Sequence, residues 1–311
     1  LFRSAAVYEI DVADVDAPAA LFPPASTAPI DLAPVLADAA PGSVVQLGDG
    51  TYRGPADVPD GVTVRGLGSG RTRLLLDGDE ALTAGTDARL EHLAIGPLRP
   101  DPFGSRGARV ELRGDSGVVL GCVVDGTIVA RGDDVVVRAS DVAHVVGDDA
   151  ERVTVTRCRA YGATGTAIRI GGGSGHVIES CEVAGHDHAV HDHAVHLVDT
   201  SAVTVRANEL RARRAGVWVE RSDACRVQAN FVKGSGRGID VDGGAGTVVD
   251  GNAVCDGDSG AVVRGGATAT VVTGNTWERC RIGVLTWDVD DVQLTANDGI
   301  DLADAELVTG R

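Results

Sequence analysis

The chain has 311 residues, 42 of them Gly, with 43% hydrophobic residues but only ten aromatics, one Lys and no Met. So much aliphatic content excludes disorder over most of the length and implies a large, turn-rich core. A formal charge of −17 and a pI near 4.7 repel phosphate backbones and anionic lipid, and no run reaches the ~18 apolar residues of a spanning helix, so neither nucleic acid nor membrane is an expected partner.

Residues 1–30 read as an extended Pro-rich arm, ahead of a single domain over residues 31–311. With Leu1 first and no Met anywhere, the reading expects residues upstream and favours a secreted or periplasmic protein. Residues 31–39 predict a short helix, followed by a PG turn, a strand and a GTY turn. A helix there would plug the open end of a stack of coils. Weaker repeat units centre on Leu67 and Leu93, and residues 97–107 read as a projecting loop.

From Cys122 onward one phrase recurs: apolar, any, apolar, two residues, small polar, any, apolar, as in VVVRASDV, VTVRANEL and TVVDGNAV. The small polar slot falls at Cys122, Ser140, Cys158, Cys181, Asn208, Asn230, Asn252, Asn275 and Asn297, at spacings of 18, 18, 23, 27, 22, 22, 23 and 22. Short strands separated by Gly, Asn and Asp turns at this period predict an all-β fold, a parallel β-helix of about 9–11 coils of ~22 residues. Equivalent residues then stack in columns about 4.8 Å apart. An inward column of Asn satisfies its own amides and the turn carbonyls, and Cys122, Cys158 and Cys181 are small buried thiols in that column. Cys255 and Cys280 fall on adjacent turns, where a disulfide remains open.

A second phrase gives another stacked strand: TAIRI, HAVHLV, AGVWVE, RGIDVD, SGAVVR and IGVLTW. Its alternation sends Arg169, His196, Trp218, Asp240, Val262 and Leu285 into one outward column, and Gly171, Val198, Glu220, Asp242, Arg264 and Trp287 into its neighbour. Glu220, Asp240 and Asp242 become a carboxylate cluster, with Glu220 roughly 5 Å from Asp242, and crowded carboxylates separate into acid and base. Trp218 and Trp287 offer flat faces to a sugar ring, Arg169 and Arg264 bracket the acids, and His196 is placed as an auxiliary base. Arg211, Arg213, Arg214, Lys233, Arg237, Arg279 and Arg281 line nearby turns, either as an anion-binding strip or as partners in internal ion pairs. Residues 185–196, GHDHAVHDHAVH, repeat HDHAV in tandem, which accounts for the spacing of 27. His186, His188, His191 and His193 are candidate ligands for Zn or Cu, so a divalent metal stays open as cofactor.

The capping helix, the APGSVVQLGDGTY run and the Asn/Cys ladder resemble the right-handed parallel β-helix proteins of the pectate lyase-like superfamily, over about residues 31–300. The resemblance implies a right-handed helix and a carbohydrate-active enzyme that cleaves or epimerises a saccharide, uronic ones included, in a surface groove. The superfamily's lyases use an Arg or Lys base with Ca²⁺ or a second cation at the uronate carboxyl, a role that falls on Lys233 or Arg237. One alginate-lyase pattern has Lys where VERSDACRVQAN has Glu220, which argues against that subtype. Inverting hydrolases place several acids on neighbouring coils, as Glu220, Asp240 and Asp242 do here. Of the epimerase pattern only Tyr161 is carried over, as a proton donor, because no DPH triplet accompanies it. The same superfamily includes β-helix proteins that assist copper loading of an enzyme. The alternative is therefore a metal-binding accessory or non-catalytic binding protein using residues 186–196.

Overall fold

The computed structural model describes residues 29–77, 81–98, 107–162, 165–185, 193–303 and the backbone of 305–310. Nearly all of the expected arm and most of the 97–107 loop lie outside these residues. What is described is an all-β parallel solenoid of about 11 turns. One face is a twelve-stranded parallel sheet, built from three-residue strands such as Val136–Arg138, Thr154–Thr156 and Arg226–Gln228. Two further ladders merge into a 23-stranded sheet along the other side.

Coil length follows from the corner between those two ladders. Val123–Ala130 and Asp141–Asp148 are single eight-residue strands that serve both ladders without a break. In later coils the chain turns between them, from Glu209–Arg211 to Ala215–Glu220 and from Phe231–Lys233 to Arg237–Asp242. That added corner explains why the spacing rises from 18 to about 22.

The inward column forms as the repeat predicts. Each Asn backbone N–H donates to the Oδ1 of the Asn on the next coil, over 3.0, 2.9, 2.9 and 3.2 Å from Asn208 through to Asn297. Each Nδ2 also donates to a strand carbonyl, as from Asn230 to Val205 O and from Asn252 to Val227 O. Cys181 N–H enters the ladder through Asn208 Oδ1 at 2.9 Å, and Cys122 N–H through Ser140 Oγ at 3.1 Å. The residue ahead of each slot takes a left-handed conformation even where it is Ala, as at Ala207, Ala229 and Ala296. Ala pays roughly 1–2 kcal/mol for that conformation, which the ladder hydrogen bonds offset.

Leu93 fills its slot and is buried, but Leu67 is 44% exposed. Thr72 takes over there, its hydroxyl accepting from Leu67 N–H and donating to Gly48 O. The cap helix is Ala33–Ala37, shorter than residues 31–39 because Asp38 already leaves helical geometry. Leu32 and Leu36 nonetheless bury themselves against the first coils, and Asp31 Oδ1 accepts from Ala33 N–H at 3.1 Å. Among the described residues no helix is long and apolar enough to cross a membrane.

Candidate functional site

The second-phrase strands Ile168–Gly171, His193–Val198, Ala215–Glu220, Arg237–Asp242, Ser259–Arg264 and Ile282–Trp287 stack in register. Arg169 faces His196, then Trp218, Asp240, Val262 and Leu285 in turn. Beside them run Gly171, Val198, Glu220, Asp242 and Arg264, with the Arg264 guanidinium 5.7 Å from the Trp287 ring centre. Val217, Val219, Ile239 and Val241 alternate with these positions and fill the core, which fixes the polar set on the outside.

Two linked networks occupy this face. In the first, Asp240 is 2% exposed because two guanidiniums cover it: Arg237 Nη1 at 2.5 Å and Arg264 Nε at 3.0 Å. Arg264 also reaches Asp242 at 2.6 Å. Burial pushes the Asp242 carboxyl above its ordinary pKa; Arg264 opposes that shift, and the charges of Asp240 and Glu220 add to it. In the second, His196 Nε2 lies 2.9 Å from Glu220 Oε2. The other Glu220 oxygen meets Arg221, which forks onto Asp199 at 2.8 and 2.9 Å. Burial holds the His196 pKa below its ordinary value despite the pull of Glu220. The neutral ring donates Nε2–H to Glu220 and carries its lone pair on Nδ1.

Trp218 anchors the imidazole. The His196 ring stacks on the indole at 4.2 Å and 6°, His193 packs at 4.7 Å, and Arg214 lies 5.5 Å from the ring centre. One indole face is thus covered by imidazole, and Trp287 carries Arg264, so both expected sugar platforms are already partly occupied. Trp218 Nε1 is buried and makes no hydrogen bond among the described residues. Arg169 has no ion pair among the described residues and sits where its charge acts on His196 and Asp199.

Other expected residues fall elsewhere. Tyr161, Ala184, Arg211 and Lys233 share one column of the neighbouring ladder, across the corner from Trp218. Tyr161 is exposed there and lines a cavity of about 280 Å³ with Val123, Val142, Asp125 and Asp141. His186, His188 and His191 lie outside the described residues. His193 is described, and its ring is committed to the Trp218 cluster; among the described residues no three metal-ligating side chains converge. Cys255 and Cys280 are both free thiols. The basic strip is largely neutralised, with Arg211 on Glu209, Arg279 on Asp256 and Arg281 on Asp258. The sequence reading missed Arg221, although its signal was present: Asp199 precedes it by 22 residues, one coil.

A family model described as right handed beta helix region matches residues 110–254 and 193–304. No curated protein matches the sequence. Similar solved structures include the periplasmic alginate epimerase AlgG, at 13% identity and TM-score 0.66 over 91% of this chain and 83% of that one. The A-module of Azotobacter vinelandii mannuronan C-5 epimerase AlgE6 is 19% identical at TM-score 0.58, over 89% and 93%. PfbA, a surface adhesin of Streptococcus pneumoniae, is 10% identical at TM-score 0.66, over 86% and 85%.

Proposed function

The chain belongs to the right-handed β-helix family, and from that premise we propose that the His196–Glu220–Asp242 face is the active site of a carbohydrate-active enzyme. Its reaction is acid–base cleavage or epimerisation of a saccharide bound across the coils. One observation carries the reading: register alone brings a Glu-oriented neutral imidazole and a carboxyl with raised pKa to one face, two coils apart with Glu220 on the coil between them. His196, its plane held by Trp218 and its Nε2–H by Glu220, presents Nδ1 as the base. Asp242 keeps its proton to higher pH than an ordinary Asp and serves as the acid. Asp240 is the buried counter-charge that positions Arg237 and Arg264, and Arg169 supplies the cation facing an anionic sugar. The alginate epimerases among the structural neighbours support a saccharide substrate, and the periplasmic AlgG and the adhesin support export.

The test is a panel of neutral and uronic polysaccharides followed together by unsaturated-uronate absorbance, reducing ends and sugar NMR. Glu220→Gln and Asp242→Asn, each checked for native circular dichroism, are expected to lower turnover by about 10²–10⁴-fold. A wild-type chain inert on every saccharide, or two folded variants that turn over as fast as wild type, would end the proposal.

A further inference from the structure

The inward column changes chemistry partway along the solenoid. Toward the N-terminus the Asn ladder gives way at Asn208 to Cys181, Cys158, Ser140 and Cys122. Thr156 faces Glu179 and Arg159 faces Glu182, so Cys158 stacks directly against Cys181 of the next coil. Cys158 N–H donates to Cys181 Sγ at 3.5 Å, and the two thiols are 1% and 3% exposed. The other four free thiols have no such neighbour: Ser140 separates Cys122 from Cys158, and Cys225, Cys255 and Cys280 sit at different positions of their coils.

Stacked parallel strands hold equivalent residues about 4.8 Å apart, inside the ~4.4–6.8 Å Cα range of a disulfide. A relaxed disulfide draws its Cβ atoms to about 3.8 Å, closer than stacked coils keep them. A bond made here is therefore compressed and easily reduced.

We propose that Cys158 and Cys181 are a reversible dithiol–disulfide couple, oxidised by a small-molecule disulfide such as oxidised glutathione. One cysteine thiolate attacks the glutathione disulfide, expelling a glutathione thiolate and leaving a mixed disulfide. The second cysteine gives up its proton, attacks the protein sulfur of that mixed disulfide and expels the other glutathione. Two protein thiols are oxidised to one disulfide, and one glutathione disulfide is reduced to two thiols. In the folded chain each thiol donates to a strand carbonyl, Cys158 Sγ to Val137 O at 3.4 Å and Cys181 Sγ to Glu179 O at 3.2 Å. Burial confines the exchange to folding or to transient opening of these coils. The bond closes the coil that carries Arg169, so oxidation ties the first coil of the polar face to its neighbour.

The reduced, unfolded chain is refolded in glutathione buffers of graded ratio, and free thiols are alkylated after acid quench and counted by mass. Expected are six alkylated thiols in reducing buffer and four in oxidising buffer, with a Cys158–Cys181 cross-linked peptide that disappears on returning to reduced glutathione. Cys181→Ser is the control, since Ser140 shows that Ser serves in this column. That variant is expected to keep all five of its thiols in either buffer. Six thiols in oxidising buffer, a cross-link through another pair, or loss of two thiols in Cys181→Ser would overturn the proposal.

Discussion

His196 is neutral in the fold because burial outweighs the attraction of Glu220, with Arg169 and Arg221 adding positive charge nearby. Its folded pKa lies below the unfolded value of about 6.5, so the unfolded chain takes up a proton first as pH falls. The stability this group contributes is complete above that value and is lost as pH drops through it. Urea unfolding of the wild type and His196→Gln at about pH 7 and about pH 5.5 is expected to show the larger loss in the wild type. Equal losses would mean that His196 charges as readily in the folded state as in the unfolded one. The location of this histidine was legible, since HAVHLV and AGVWVE share a spacing that puts His196 over Trp218. Its stacking was not, nor was the enclosure of Asp240. Both depend on how far long side chains reach across coils, which periodicity does not encode: Arg237 and Arg264 approach Asp240 from its own strand and from the next.

At the level of one strand or one column, the Asn ladder is cooperative in a way that a single hydrogen bond is not. Asn252 accepts from both the backbone N–H and Nδ2 of Asn230 and donates onward to Asn275 and Val227 O. Asn252→Ala strands several buried polar groups at once, and a loss of about 3 kcal/mol in denaturant unfolding is expected. Asn297→Ala, at the part-buried end of the column, is expected to cost under about 1 kcal/mol. Equal costs for the two would show that the ladder does not depend on depth. The columns were readable from sequence because a period survives changes of residue type, as Cys, Ser and Asn take the same slot. The coil at Leu67 is present, but its slot is filled differently. There a threonine five residues on supplies the hydrogen bonds, and the leucine in the slot turns outward.

Across the whole molecule, stability is a sum of neighbouring-coil contacts rather than the property of one centre. The N-terminal end is covered by Leu32 and Leu36, whereas Asp290–Thr295 and Asp298–Ile300 are mostly exposed. Amide exchange is expected to be fastest in residues 290–300 and slowest in the coils between residues 205 and 263, graded between them. Exchange that begins at the Leu32 end would contradict this order. The corner between the two merged ladders carries a further consequence for design. Glu182–Ala184 and His193–Val198 both keep register with the following coil although the chain between them is five residues longer than in the coils that follow. Chain added at this vertex perturbs neither flanking strand, and lengthening a loop there costs only fractions of a kcal/mol per few residues. A foreign peptide inserted at this vertex is therefore expected to be displayed with the flanking coils still in register.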